Sequence, residues 1–249
     1  GTRTGSLVGF VVTAFMTAWP MFAFSLLKDQ EEARRVYSAV LTYFLLITLS
    51  AAVALSLFSR EVMILLATRD YLNAAGLVPW VALAAVAWGA GDIVGMGFSI
   101  ARKTYHIILA TALGAAVTAV LNLGLIGPFG ALGAVLASLA GNLATLAYLY
   151  WAGQRYFRVN YDRSRIAVLL GLALAVIGLG IFWDRLGVEP AGVVILGKAT
   201  LALVYLGGLF AFRLIKLSDL EGLWQRVRLG RTQPGSAGGM DDETPPPAA

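Results

Sequence analysis

The sequence predicts an all-α integral membrane protein of seven transmembrane helices, with its N-terminus outside and its C-terminus in the cytoplasm. Three observations predict it. Seven apolar stretches fill most of the 249 residues, most of them near the roughly 20 residues that carry a helix across about 30 Å of hydrocarbon. The composition is 59% hydrophobic and only 13% charged, against the roughly 25% charged of ordinary soluble domains. The basic side chains fall overwhelmingly on one side of the implied membrane. The apolar runs are continuous rather than alternating, so helices and not a barrel satisfy the backbone in lipid.

The first span, Ser6 to Leu27, contains Trp19 and Pro20. A proline there removes a backbone donor and clashes with the preceding turn, making Pro20 a candidate flexing point. The leading GTRTGS has no initiator Met and no charged n-region, so the sequence is expected to be the C-terminal part of a longer membrane protein, with a helix upstream. Insertion of the first span N-outside unaided is the alternative. The second span is Val36 to Phe58. Ser59 to Asn73 (SREVMILLATRDYLN) is charged at its ends and apolar in its middle, which suits a short helix lying on the outer surface.

The third span, Ala74 to Ile100, starts near Pro79 and carries Asp92 among Gly89, Gly91, Gly95 and Gly97. Those glycines are also flexing candidates. The fourth and fifth spans, Ile107 to Ile126 and Ala131 to Trp151, are joined by Gly127 to Gly130 (GPFG), which predicts a tight antiparallel hairpin. The basic, aromatic segment Gly153 to Arg165 (GQRYFRVNYDRSR) follows and suits headgroup depth, where rings and guanidinium groups anchor. The sixth and seventh spans are Ile166 to Trp183 and Ala191 to Phe212. Ser218 and Glu221 then have capping-box spacing, and Leu217, Leu220, Trp224 and Val227 share a helical face, giving an amphipathic cytoplasmic helix over 213–229. The Pro-, Gly- and acid-rich residues 230–249 are expected to be disordered.

The charge count sets orientation. Fourteen Lys and Arg follow spans one, three, five and seven, whereas only Arg3, Arg60, Arg69 and Arg185 fall on the opposite side, and Lys198 lies inside the seventh span. Cytoplasmic loops hold the excess of basic residues, which places the C-terminus inside. The net charge of +5 is therefore a topology signal and an attraction to anionic lipids, not a sign of nucleic-acid binding. The absence of cysteine excludes disulfides and thiol ligands. A lone His106 beside Arg102 and Lys103, without carboxylate or thiol companions, makes no metal site. No cofactor is expected.

Ionisable groups at membrane depth are functional candidates because burying them is costly. Asp92 is expected to face other helices, packed against its glycines, either as a proton- or cation-linked group or as a structural acceptor. Lys198, seven residues into its span, is about 10 Å from the outer end at 1.5 Å per residue, and either snorkels outward or pairs in the interior. Asn122 and Asn142 are expected to bond across to neighbouring helices. Arg102 and Lys103, at the cytoplasmic end, fix topology or attract an anionic group.

The run AVLNLGLIGPFGALGAVLASLAGNLATLAYLYWAGQRYF, with MGFSIARKTYH and FSREVMILLATRDYLNAAGLVP before it, resembles the C-terminal half of the polysaccharide-exporter flippases of the Wzx type, related to MurJ and to the multidrug and toxic-compound exporters. The likeness covers Ser6 to Arg165. Its most distinctive elements are Tyr71, Ala74 to Pro79, Lys103, Asn122, Ile126 to Gly130, and Gly133 with Ala134. The resemblance implies the last seven helices of a fourteen-helix, two-lobe flippase. Residues 1–165 would be a partial C-lobe and 166–212 the additional helix pair. The N-lobe would be missing.

The implied cargo is an isoprenoid-pyrophosphate-linked oligosaccharide, flipped from the inner to the outer leaflet of the cell (inner) membrane by alternating access, for surface polysaccharide biosynthesis. The implied partners are that substrate, membrane lipids, the missing N-lobe and polysaccharide assembly proteins. Asp92, Arg102, Lys103, Asn122 and Lys198 are the transport candidates.

Other readings stay open. A cation-coupled multidrug exporter of the same fold would use Asp92 for its driving ion. A seven-helix photoreceptor would use Asp92 and Lys198, although Lys198 lies in the outer third of its helix. A non-catalytic membrane assembly subunit fits as well. A membrane enzyme is not expected, because the sequence offers no paired carboxylates with a plausible geometry, no H-E-x-x-H, no nucleophile elbow and no large outer loop.

Overall fold

The computed structural model describes residues 30–66, 74–100, 103–156, 159, 161–185 and 191–212. The first span with Pro20, Arg102, and residues 213–249 with the expected amphipathic helix and disordered tail lie outside the described residues. Among the described residues every regular element is a helix, in the order α1 (Gln30–Leu57), α2 (Ser59–Leu66), α3 (Val78–Ile100), α4 (Tyr105–Phe129), α5 (Ala131–Tyr156), α6 (Arg163–Arg185) and α7 (Ala191–Ala211). Six of them, all but α2, are long and apolar enough to cross a membrane. By length and composition the chain is therefore a multi-pass membrane protein.

The helices overrun the apolar stretches at several ends. The α1 helix begins at Gln30, six residues before Val36, and α5 continues to Tyr156, because a helix that satisfies its own backbone need not stop where the hydrocarbon does. One turn of 3₁₀ helix over 74–77 leads into α3, whose Pro79 sits in the first turn, where a missing donor costs nothing. A helix occupies Ser59–Leu66 of the expected surface segment.

The hairpin turn is shorter than the GPFG sequence suggests. The α4 helix runs through Pro128 to Phe129, and the reversal is made by Gly130 alone, at φ +55°. That left-handed backbone suits glycine. At the other end, Asp162 caps α6 by accepting from the backbone N–H of Arg165 at 3.1 Å and pairs with its Nε at 2.9 Å.

The helices form a row. Next to α4 lies α5, then α3, then α1, then α6, and α7 packs on α6 while also touching α1. Leu49, Ala52 and Val53 of α1 and Ala82 and Ile93 of α3 form the buried centre. The outermost helices turn large apolar side chains outward, with Leu123 of α4 89% exposed and Leu196 of α7 69% exposed. Such stripes suit lipid as the surrounding solvent. Lys103, Arg155, Arg163 and Arg165 lie at one set of helix termini, the basic end of the bundle; Glu61, Gly130 and Asp184 mark the far end.

Candidate functional site

Helices α3, α4 and α5 enclose an open cleft of about 500 Å³. It brings together the polar side chains of Asp92, Thr111, Thr118, Asn122, Asn142 and Thr145, alongside Trp88 and small residues such as Gly91 and Ala115. Asp92 and Asn122, two of the residues singled out by sequence, are thus in one site. Asp92 lies about 21 Å along α3 at 1.5 Å per residue, past the middle of the helix.

Asp92 faces α4 and α5 across the cleft without packing against them. Its side chain is exposed there, while Ala90, Ile93, Val94 and Phe98 occupy the buried face of α3. The glycines do not determine the angle. Gly91 borders open space, whereas a Cβ on Gly95 would touch Leu149 of α5 at an ordinary 3.5 Å. Gly97 borders a small cavity with Tyr37, Tyr150 and Tyr161. Helix α3 runs unbroken across Gly89 to Gly97. Trp88, one turn before Asp92, is 45% exposed and lines the same cleft. No hydrogen bond or ion pair joins Asp92 to another group among the described residues.

The two asparagines behave differently. Asn142 Nδ2 donates to the carbonyl of Ala84 at 3.0 Å, tying α5 to α3, as helix glue does. Asn122 Oδ1 is buried with no hydrogen-bond partner, an orphaned acceptor on the cleft's wall.

In the cleft wall, α4 and α5 interlock through two copies of G-x-x-x-T: Gly114 with Thr118, and Gly141 with Thr145. A Cβ on Gly114 would collide with the Thr145 hydroxyl and come within 2.8 Å of the Gly141 carbonyl; one on Gly141 would collide with Thr118 and come within 2.6 Å of the Gly114 carbonyl. Thr145 Oγ1 donates to Ala110 O at 3.2 Å, and Thr118 Oγ1 reaches Ala137 O at 3.4 Å. Small residues that let backbones approach closely, with hydroxyls bonding across, are the packing device of membrane helices.

At the basic end, Lys103 is exposed at the α3–α4 junction and does not line the cleft. His106 is buried, with Nδ1 3.0 Å from the Tyr148 hydroxyl and its ring stacked obliquely near Phe98 and Tyr105. The α5–α6 connection is less peripheral than its aromatic, basic composition suggests. Arg155 does lie over the Trp151 ring at 4.2 Å, but Val159 is buried and Tyr161 packs inward near Tyr150. Burial pushes the Tyr161 hydroxyl above the ordinary tyrosine range, and the phenols of Tyr150 and Tyr37 add to this.

At the far end, Lys198 is wholly buried. Its Nζ donates to both carboxylate oxygens of Glu61, at 3.1 and 3.2 Å, and lies 3.1 Å from Asp184 Oδ1. The side chain pairs rather than snorkels. An ammonium taken out of water costs several kcal/mol unless it is paired and hydrogen-bonded, and α2 and α6 supply the two carboxylates. The triad is not evident in the sequence because Glu61 falls in the segment expected to lie on the outer surface, although a lysine about 10 Å inside a span calls for an acid at its own depth. Trp88 and the cleft threonines were also missed; the signal for Trp88 was its position four residues before Asp92 on the same helical face.

Among the described residues no group of three or more His, Cys, Asp and Glu could hold a metal ion. No protein-family profile, curated protein or solved structure matches the chain.

Proposed function

We propose that this chain is part of a membrane transporter of the flippase type, and that the α3–α4–α5 cleft belongs to its translocation path. The observation that carries the reading is Asp92, a carboxylate exposed in a polar cleft between apolar helices. A charged side chain at membrane depth is untenable against lipid, so the cleft must meet water, cargo or further protein. The resemblance to the polysaccharide exporters supplies the cargo: an isoprenoid-pyrophosphate-linked oligosaccharide, moved from the inner to the outer leaflet. The basic end is then cytoplasmic, with Lys103 on the side where pyrophosphate arrives. The polar cleft would take the sugars while the isoprenoid tail stays in hydrocarbon.

A second reading has its own observation. Among the described residues the one ionisable side chain lining the cleft is acidic, which favours a cation at Asp92 and an exporter driven by a proton or sodium gradient.

Reconstitution of the full-length protein into vesicles tests both. Reductant quenching of a fluorescent lipid-linked oligosaccharide should reveal flipping that Asp92→Asn reduces. Efflux of a cationic dye with no glycan flipping would support the second reading, and neither activity would refute transport. Cysteine labelling fixes the orientation: a site in the α5–α6 connection accessible only from the periplasm would overturn it.

A further inference from the structure

We infer that the Trp88–Asp92 edge of the cleft binds an organic ammonium group, an inference that rests on reading the cleft as a transport path. Trp88 and Asp92 are four residues apart on α3 and both line the cleft, so they stand one above the other on a single helical face. Both are exposed there. An indole face attracts a cation through its quadrupole, and the neighbouring carboxylate supplies the countercharge. Among the described residues no Lys or Arg lines the cleft to neutralise Asp92 or to receive a phosphate.

The pairing also argues for the kind of cation. A sodium ion asks for a shell of oxygens, whereas a tryptophan ring beside a single carboxylate favours a soft, weakly hydrated ammonium. The cleft volume of about 500 Å³ falls within the range of sites that enclose drug-sized ligands. An amino sugar in the transported glycan and a free amphipathic amine would present the same chemistry.

Calorimetric titration of the full-length protein in lipid nanodiscs tests this, with tetrapropylammonium, glucosamine and N-acetylglucosamine as probes and sodium chloride as the inorganic control. Tetrapropylammonium should bind saturably. Asp92→Asn should weaken it by about tenfold or more, Trp88→Ala by about fivefold, and Trp88→Phe by less, since a phenyl ring keeps part of the attraction. Ser138→Ala, exposed on α5 and outside the cleft lining, should bind as the parent does and serves as the control. Glucosamine bound in preference to N-acetylglucosamine would support an amino-sugar source, and tetrapropylammonium binding alone a free amine. Ammonium binding that survives both Asp92→Asn and Trp88→Ala, or Asp92-dependent binding of sodium without ammonium, would overturn the inference. Glycan flipping that persists with no ammonium binding would overturn it alone, whereas ammonium binding without any flux would remove the transport reading and leave the site.

Discussion

Lys198 Nζ of α7 lies 3.1 and 3.2 Å from the two carboxylate oxygens of Glu61, on α2 and 137 positions earlier in the chain. The two partners differ in burial: the Lys198 side chain is 1% exposed and that of Glu61 32%. Truncation should therefore be asymmetric. Lys198→Met leaves carboxylates that water can reach, whereas Glu61→Gln combined with Asp184→Asn strands a buried ammonium. The double variant should lose about 3–5 kcal/mol and Lys198→Met distinctly less. Denaturant unfolding in detergent micelles, followed by circular dichroism, ranks the two; the reverse order would show that the lysine is not the buried member.

Gly114 and Gly141 permit close backbone approach between α4 and α5. Ala at either position should destabilise by about 1–3 kcal/mol, as overpacking does, and Leu at either should separate the two helices. Disulfide formation between cysteines introduced at Ala110 and Thr145, which face each other across the hairpin, reads the separation. Efficient crosslinking in Gly141→Leu would refute the interlock.

Asn142 joins α5 to α3 through Ala84. Asn142→Leu should cost about 0.6–2 kcal/mol, the range of interhelical hydrogen bonds in membranes. Asn122→Leu, which removes an acceptor without a partner, should cost less or stabilise. The same unfolding assay compares them.

Tyr161 offers a pH signature. Its hydroxyl is held neutral in the fold by burial, so the unfolded chain gives up that proton first as pH rises past about 10. The contribution to stability is present below that pH and is lost above it, as the folded phenol in turn ionises. Tyr161→Phe should lose less stability than the parent between pH 9 and pH 11. Identical alkaline slopes would place the phenol in water.

Hydropathy located the helices because lipid forces each spanning segment to satisfy its own backbone, so an apolar run and a helix nearly coincide. It did not locate their ends, as at Gln30 and Tyr156, where helix continues past the apolar residues. The rotation of α3 was not legible either. Gly89, Gly91, Gly95 and Gly97 spread around the helix and give no preferred face, and the rule that charges turn inward overlooked a polar cleft opening sideways. Lys198 was visible as an anomaly, but its partners were not, since Glu61, Asp70, Asp184 and Glu189 all precede or follow spans at the same side of the sequence pattern. The repeated GAAVT and GNLAT were on the page as sequence; what they do follows only from the antiparallel register that Gly130 imposes.

The spatial order of the row departs from the order of synthesis. After α3, the chain emits α4 and α5, which settle on its one flank, and only then α6, whose seat is on α1 at the opposite flank. Among the described residues no earlier spanning helix takes that flank, so there α1 awaits its neighbour until most of the polypeptide has been made, an extended interval in which another helix, or a chaperone, can occupy it.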